Sequence, residues 1–204
     1  MLRTTVGTLV LAASAGLAGC AAPALSVKYP YAPEAVASPL GFTVVDRRPP
    51  SESESEILSY NISNDLYGIT RLGDTQVTPN RVPYLMSRLK DTAGDRLNGS
   101  TVTIEHFTIH LNMQATYRKV AVGAAVGGVA SGALGSAIGA VIQSDMDPTR
   151  PFVDTELKLL VGSQPVSSRQ RVNLGGGSVN PAIASAIKAS LDAAAGDIGA
   201  KLNP

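Results

Sequence analysis

Cysteine occurs once in the 204 residues, at Cys20, which excludes an internal disulfide and a thiolate metal site whatever the redox compartment. Tryptophan is absent and aromatic residues make up only 4% of the chain, so any core must be built from aliphatic and small side chains. Charge of one sign is also missing: 17 basic against 16 acidic side chains leave a formal +1, which removes the bulk electrostatic reason to bind a nucleic acid. There is no Gly-x-Ser-x-Gly elbow and no His-Glu-x-x-His helix, and Gly175-Gly176-Gly177 lacks the lysine of a phosphate loop. These absences point away from an enzyme. With 44% hydrophobic and 16% charged residues, the composition is that of one folded unit, neither wholly disordered nor a multi-span membrane protein.

What is present begins at the N-terminus. Residues 1–19 read as an export signal, with Arg3, an apolar stretch from Val6 to Leu17, and small residues before the cysteine. Leu17-Ala18-Gly19-Cys20 resembles the lipobox of bacterial lipoproteins. That resemblance implies a Cys20 thiol carrying S-diacylglycerol, an N-acylated mature N-terminus and no other cofactor. Ala21 stands where inner-membrane retention signals usually carry Asp, so the resemblance further implies a lipid anchor in the outer membrane, facing the periplasm. Three acyl chains at about 0.8 kcal/mol per buried CH2 make such attachment effectively permanent. Cleavage would remove Arg3 and no acid, leaving a mature chain of 16 basic and 16 acidic side chains.

Residues 20–39 carry Pro23, Pro30, Pro33 and Pro39 and are expected to form an extended, poorly ordered tether. The remaining stretch, 40–204, reads as one α+β domain. Leu40 to Asp46 is β-branched and stops at Arg47-Arg48-Pro49-Pro50; Asp46 with the two arginines is expected to form a turn-fixing ion pair. Ser51 to Glu56 alternates serine and glutamate and is expected to be a solvated loop. Ile57 to Ile62 and Leu66 to Leu72 are weaker strands. Thr78-Pro79 places a capping oxygen and a proline at a helix start, and Val82, Leu85, Met86, Leu89 and Ala93 repeat at helical spacing until Gly99.

Thr101 to Asn112 is the strongest strand, but its apolar parity switches between Val102/Ile104 and Phe107/Ile109/Leu111, which predicts a bulge near Glu105 and His106. On a strand, His106 and His110 share at most one face, so a metal pair is not the default. Phe152 to Val161 alternates as a second long strand, and Gln170 to Leu174 is a short one. Asn180-Pro181 opens a last helix along Ile183, Ile187, Leu191, Ala194, Ile198 and Leu202. The expected fold is a mainly antiparallel sheet with two helices on one face.

Between the long strands, Val120 to Ile142 has no charge and no proline, and Gly123, Gly127, Ser131, Gly135 and Gly139 recur every fourth residue. On a helix this spacing makes a smooth ridge for close backbone approach, a glycine zipper suited to membrane or partner contact. As one helix it would span about 34 Å. If the flanking strands share a sheet, however, both ends lie on the same side of any bilayer, and a hairpin turning near Ser131-Gly132 is expected. Three arrangements satisfy that constraint: helical arms dipping into one leaflet or self-associating, arms packed on the domain, and a β-hairpin contributed to a ring of subunits.

The lipobox, the strand ending in Val45-Asp46-Arg47-Arg48-Pro49, and the proline-capped helix before a long strand resemble the YajG family of bacterial lipoproteins over about Leu40 to Leu111. The glycine-rich insertion is not part of that likeness. The resemblance implies a periplasm-facing α+β domain without assigned enzymatic activity. The expected role is envelope organisation, with membrane lipid and an envelope protein or a second copy as partners. The alternatives are a subunit of an oligomeric transport or secretion complex and a small-ligand or lipid carrier.

Overall fold

The structure is a computed structural model that describes residues 28–32, 39–61, 63–117, 150–175 and 179–202. The elements run β1 (Tyr29–Pro30), β2 (Thr43–Asp46), α1 (Pro50–Ser53), β3 (Glu56–Ile57), β4 (Ile69–Arg71), β5 (Val77–Thr78), α2 (Arg81–Leu97), β6 (Thr101–Asn112), β7 (Phe152–Val161), β8 (Gln164–Asn173) and α3 (Val179–Leu202). The fold is α+β, built on a mostly antiparallel six-stranded sheet.

The sheet grows outward from β6. On one side β6, β7 and β8 form an antiparallel meander, with β7 and β8 joined by the Gly162-Ser163 turn. On the other side the edge of β6 is shared: β2 runs parallel to Thr101–Ile104, and β4 runs antiparallel to His110–Asn112 with β3 beyond it. Between Ile104 and His106 the β6–β7 register slips by one residue, leaving Glu105 as the bulge. Val102 and Ile104 therefore point to the same face as Phe107, Ile109 and Leu111, as the parity switch required.

That face carries the core. Leu85, Met86, Leu89 and Leu97 of α2 and Ile183, Ile187, Leu191 and Ile198 of α3 are buried in one cluster with Ile104, Phe107, Ile109, Leu157 and Leu159 of the sheet. Inside it the Thr155 and Ser190 hydroxyls, both fully buried, pair at 2.8 Å between β7 and α3.

Local details differ from expectation: β8 spans Gln164–Asn173 where only Gln170–Leu174 was expected, and β3 is limited to Glu56–Ile57. Thr78 belongs to β5, and α2 is instead capped by Asn80, whose side-chain oxygen accepts from the Val82 N–H at 2.9 Å. Within the expected tether, Tyr29 and Tyr31 are buried and Tyr29–Pro30 pairs with Val77–Thr78, because those tyrosines complete the core beside Tyr84. Glu52, read as part of a solvated loop, is buried on the helical turn α1.

Candidate functional site

The gap between β2 and β4 on the edge of β6 brings together the buried Glu52 and Arg81. Where a neighbouring strand would offer a carbonyl, the Phe107 N–H instead donates to Glu52 Oε2 at 2.8 Å. The other carboxylate oxygen, Oε1, lies 2.6 Å from His106 Nδ1. A carboxylate thus completes a β-ladder, which a buried N–H requires of some acceptor.

Two arginines hold this turn in place. Arg81, at 0% exposure, donates to Asp74 at 2.6 Å, to the Leu72 carbonyl at 3.2 Å and to the Glu52 carbonyl, with its guanidinium 4.8 Å from the Phe107 ring centroid. Arg48 bridges Asp46, at 2.7 Å, to Asp74, at 3.0 Å. The expected Asp46 turn pair is therefore present, as one end of a longer chain of charges. The hydrogen bond from Arg48 holds the Asp46 carboxyl below its ordinary pKa. Burial pulls the Arg81 pKa down, with Asp74 opposing it. Burial also works against Arg48, but Asp46 and Asp74 more than compensate and its pKa rises. Gly73 permits the close approach, since a Cβ there would sit 2.7 Å from the Ser53 carbonyl oxygen.

The sheet face away from the helices is polar. The bulge precedes both histidines, so His106 and His110 share this face, opposite Lys158 and Asp154 of β7. His106 Nε2 lies 3.4 Å from Thr108 Oγ1 and 3.6 Å from Glu156. Glu52, His106 and Thr108 thus fall in the acid, imidazole, hydroxyl order of a nucleophile relay. Thr108 is only 3% exposed, which closes its hydroxyl to a substrate. Burial lowers the His110 pKa, with Arg71 reinforcing and Glu156 opposing. On β8, Arg169 and Arg171 both reach Asp154, at 2.6 and 3.3 Å, and Arg171 lies 4.0 Å from the Phe152 ring centroid. Burial alone would raise the Asp154 pKa, but the two arginines bring it below its ordinary value. Among the described residues, no group of three or more His, Cys, Asp and Glu side chains is placed to hold a metal ion.

A third locus is the end of the sheet where β6 finishes and β7 begins. Asn112 pairs with Phe152, so the chain leaves β6 and enters β7 side by side. The helical turn over 114–117 places the Tyr117 ring 5.8 Å from that of Tyr67, against Gly68, whose φ of +82° and lack of a Cβ make room for it. Tyr29 is buried in the core cluster, and Tyr117 packs against that same cluster; burial, then Tyr117, raises the Tyr29 pKa.

Cys20 and the ridge residues Gly123, Gly127, Ser131, Gly135 and Gly139, with the whole of Val120 to Ile142, lie outside the described residues. Among the described residues, no helix is long and apolar enough to cross a membrane. Sequence reasoning missed Glu52, Asp74 and Arg81. One signal for Arg81 was available: it stands four residues before Leu85 and eight before Leu89, on the apolar stripe of α2.

Comparison of the chain with known protein families, with curated proteins and with solved structures finds no match.

Proposed function

We propose that the protein is a non-enzymatic lipoprotein of the bacterial outer membrane, acylated at Cys20, whose periplasmic domain organises the envelope through contacts of the Val120–Ile142 segment with membrane or protein. The observation that carries this reading is the convergence at one end of the sheet. The two strands that precede and follow the glycine-rich segment are paired at Asn112–Phe152, and Tyr29 and Tyr117 both pack into one core cluster. Cys20 lies nine residues before Tyr29, a reach of about 30 Å when extended. Lipid and uncharged segment are then directed at the same surface, and burying the segment there avoids exposing a long apolar stretch.

Radiolabelled palmitate added to cells expressing the full chain should label it, and Cys20→Ala should abolish the label. The Cys20→Ala protein should still bind membranes through Val120–Ile142, and deleting that segment as well should release it. Absence of label on the full chain, or chemical labelling that puts Tyr117 and Asp147 in different compartments, overturns the reading. Side-by-side flanks also suit a subunit of an oligomeric transport complex. In detergent, a ring mass that collapses when Val120–Ile142 is deleted favours that second reading.

A further inference from the structure

The two long edges of the sheet are finished differently, and among the described residues β8 is the one left open. Its backbone alternation is settled by three independent observations. The Leu174 N–H donates inward to the Pro151 carbonyl at 2.8 Å, so even-numbered residues face β7. Lys201 Nζ donates to the Ser167 carbonyl at 2.7 Å from outside the ladder. Pro165, which has no N–H, occupies another odd position, where none is needed for pairing. The N–H and C=O groups of Arg169, Arg171 and Asn173 therefore point away from β7, and among the described residues no strand pairs with that edge.

The surroundings of this edge have two chemistries. On the helix side a groove of about 280 Å³ runs beside the last residues of β8. Its α3 wall is made of Pro181, Ala182, Ser185, Ala186 and Ala189, all small or apolar, and its β8 wall of Val172, Asn173 and Gly175. On the polar side stand Arg169 and Arg171, with side chains 61% and 55% exposed; both bind the buried Asp154 on their inner side, and Arg169 also reaches Glu156 at 3.2 Å, so an incoming carboxylate would use their remaining outward N–H groups. The nearer half of β8 is already blunted by Pro165 and by Lys201, so the open stretch is 169–173.

We propose that the 169–173 edge of β8 is a docking site for an extended acidic segment of another protein, which adds a strand to the sheet. Its backbone pairs with Arg169, Arg171 and Asn173. Alternate side chains of valine size or smaller fill the groove against α3, and the intervening Asp or Glu side chains meet the two arginines. Backbone pairing supplies affinity and the alternation supplies selectivity. A second copy adding its own β8 would set arginines against arginines, which like-charge pairing across a ladder disfavours.

The test uses the full chain in detergent and two fluorescent nine-residue peptides, one alternating Val and Glu and the other alternating Val and Lys, read by anisotropy. The Val/Glu peptide should bind at least tenfold more tightly than the Val/Lys peptide. Arg171→Pro removes an outward N–H without touching the β7 ladder and should weaken Val/Glu binding at least tenfold, with an unchanged circular dichroism spectrum. If that variant fails to fold, Arg171→Glu serves instead and should bring the two peptides within twofold of each other. Equal binding of both peptides, or undiminished Val/Glu binding by folded Arg171→Pro, overturns the proposal. So does a dimer in sedimentation that Arg171→Pro dissolves, since the edge would then belong to a second copy.

Discussion

The two edges of the sheet solve one problem in opposite ways. Beyond β6, the edge is assembled from short pieces: β2 at one end, β4 at the other, and a carboxylate in the gap. Beyond β7, a single ten-residue strand runs the full length and ends the sheet. The patched edge needs buried charge to hold it, because none of its pieces is long enough to pair along the whole of β6. The continuous edge pairs along its whole length through backbone bonds, and its exposed Arg169 and Arg171 hold the buried Asp154 of β7. Charge thus closes a gap in the ladder on one side of the molecule, and on the other it caps a buried carboxylate from an exposed position.

This contrast breaks if the patched edge tolerates loss of its charges. Arg81→Ala should cost about 3–5 kcal/mol in urea unfolding, since it leaves the Leu72 and Glu52 carbonyls without their buried donor and Asp74 with Arg48 alone. Arg81→Lys should recover little of that, because an ammonium cannot reproduce the three-way fork. Glu52→Ala should cost about 1–3 kcal/mol by leaving the Phe107 N–H without its acceptor. Glu52→Gln, which keeps an acceptor oxygen, should cost less. If both substitutions at Glu52 are silent, the carboxylate is not what closes the gap.

Acid titration sharpens the comparison. Asp46, on the patched edge, and Asp154, on the polar face near the continuous one, have folded-state pKa values below the ordinary aspartate value of 3.8. Asp192 is also lowered, because hydrogen bonds from Lys188 and Tyr84 outweigh the burial that would raise it. A carboxyl that releases its proton more readily when folded contributes stability that is complete above its unfolded pKa. That contribution is lost as pH falls through the unfolded value towards the folded one. His110 follows the same direction from a higher starting point: its folded pKa lies below the ordinary 6.5, so stability begins to fall as pH drops below that value. A stability profile should therefore decline in two stages on acidification, and His110→Gln should flatten the upper stage alone. The smallest effect belongs to the continuous edge, where Arg169→Ala should cost about 1 kcal/mol, because the buried Asp154 keeps Arg171 as a partner.

Much of this architecture was legible because its signals are periodic. The parity switch in Thr101–Asn112 located the bulge, and the apolar spacing located both helices. The N-terminal half of β8 was not legible, because Gln164-Pro165-Val166-Ser167-Ser168 is polar and contains a proline, and only the outward position of Pro165 reconciles it with a strand. Glu52 was hidden for a different reason. It lies in a run of alternating serines and glutamates that are equivalent in sequence, and what distinguishes it is a vacancy on β6 created by elements that lie both before and after it in the chain. The same holds for Asp74, whose arginine partners come from two separate segments.

The closure of the β6–β7 ladder at Asn112 and Phe152 makes the intervening stretch a cassette. Whatever is threaded between Tyr117 and Arg150 begins and ends on neighbouring strands. Doubling its length would add only about 0.6 kcal/mol of closure entropy. The ends of any insert at that seam are fixed by the β6–β7 ladder itself, which makes the seam the natural place to graft a foreign sequence for tethered display.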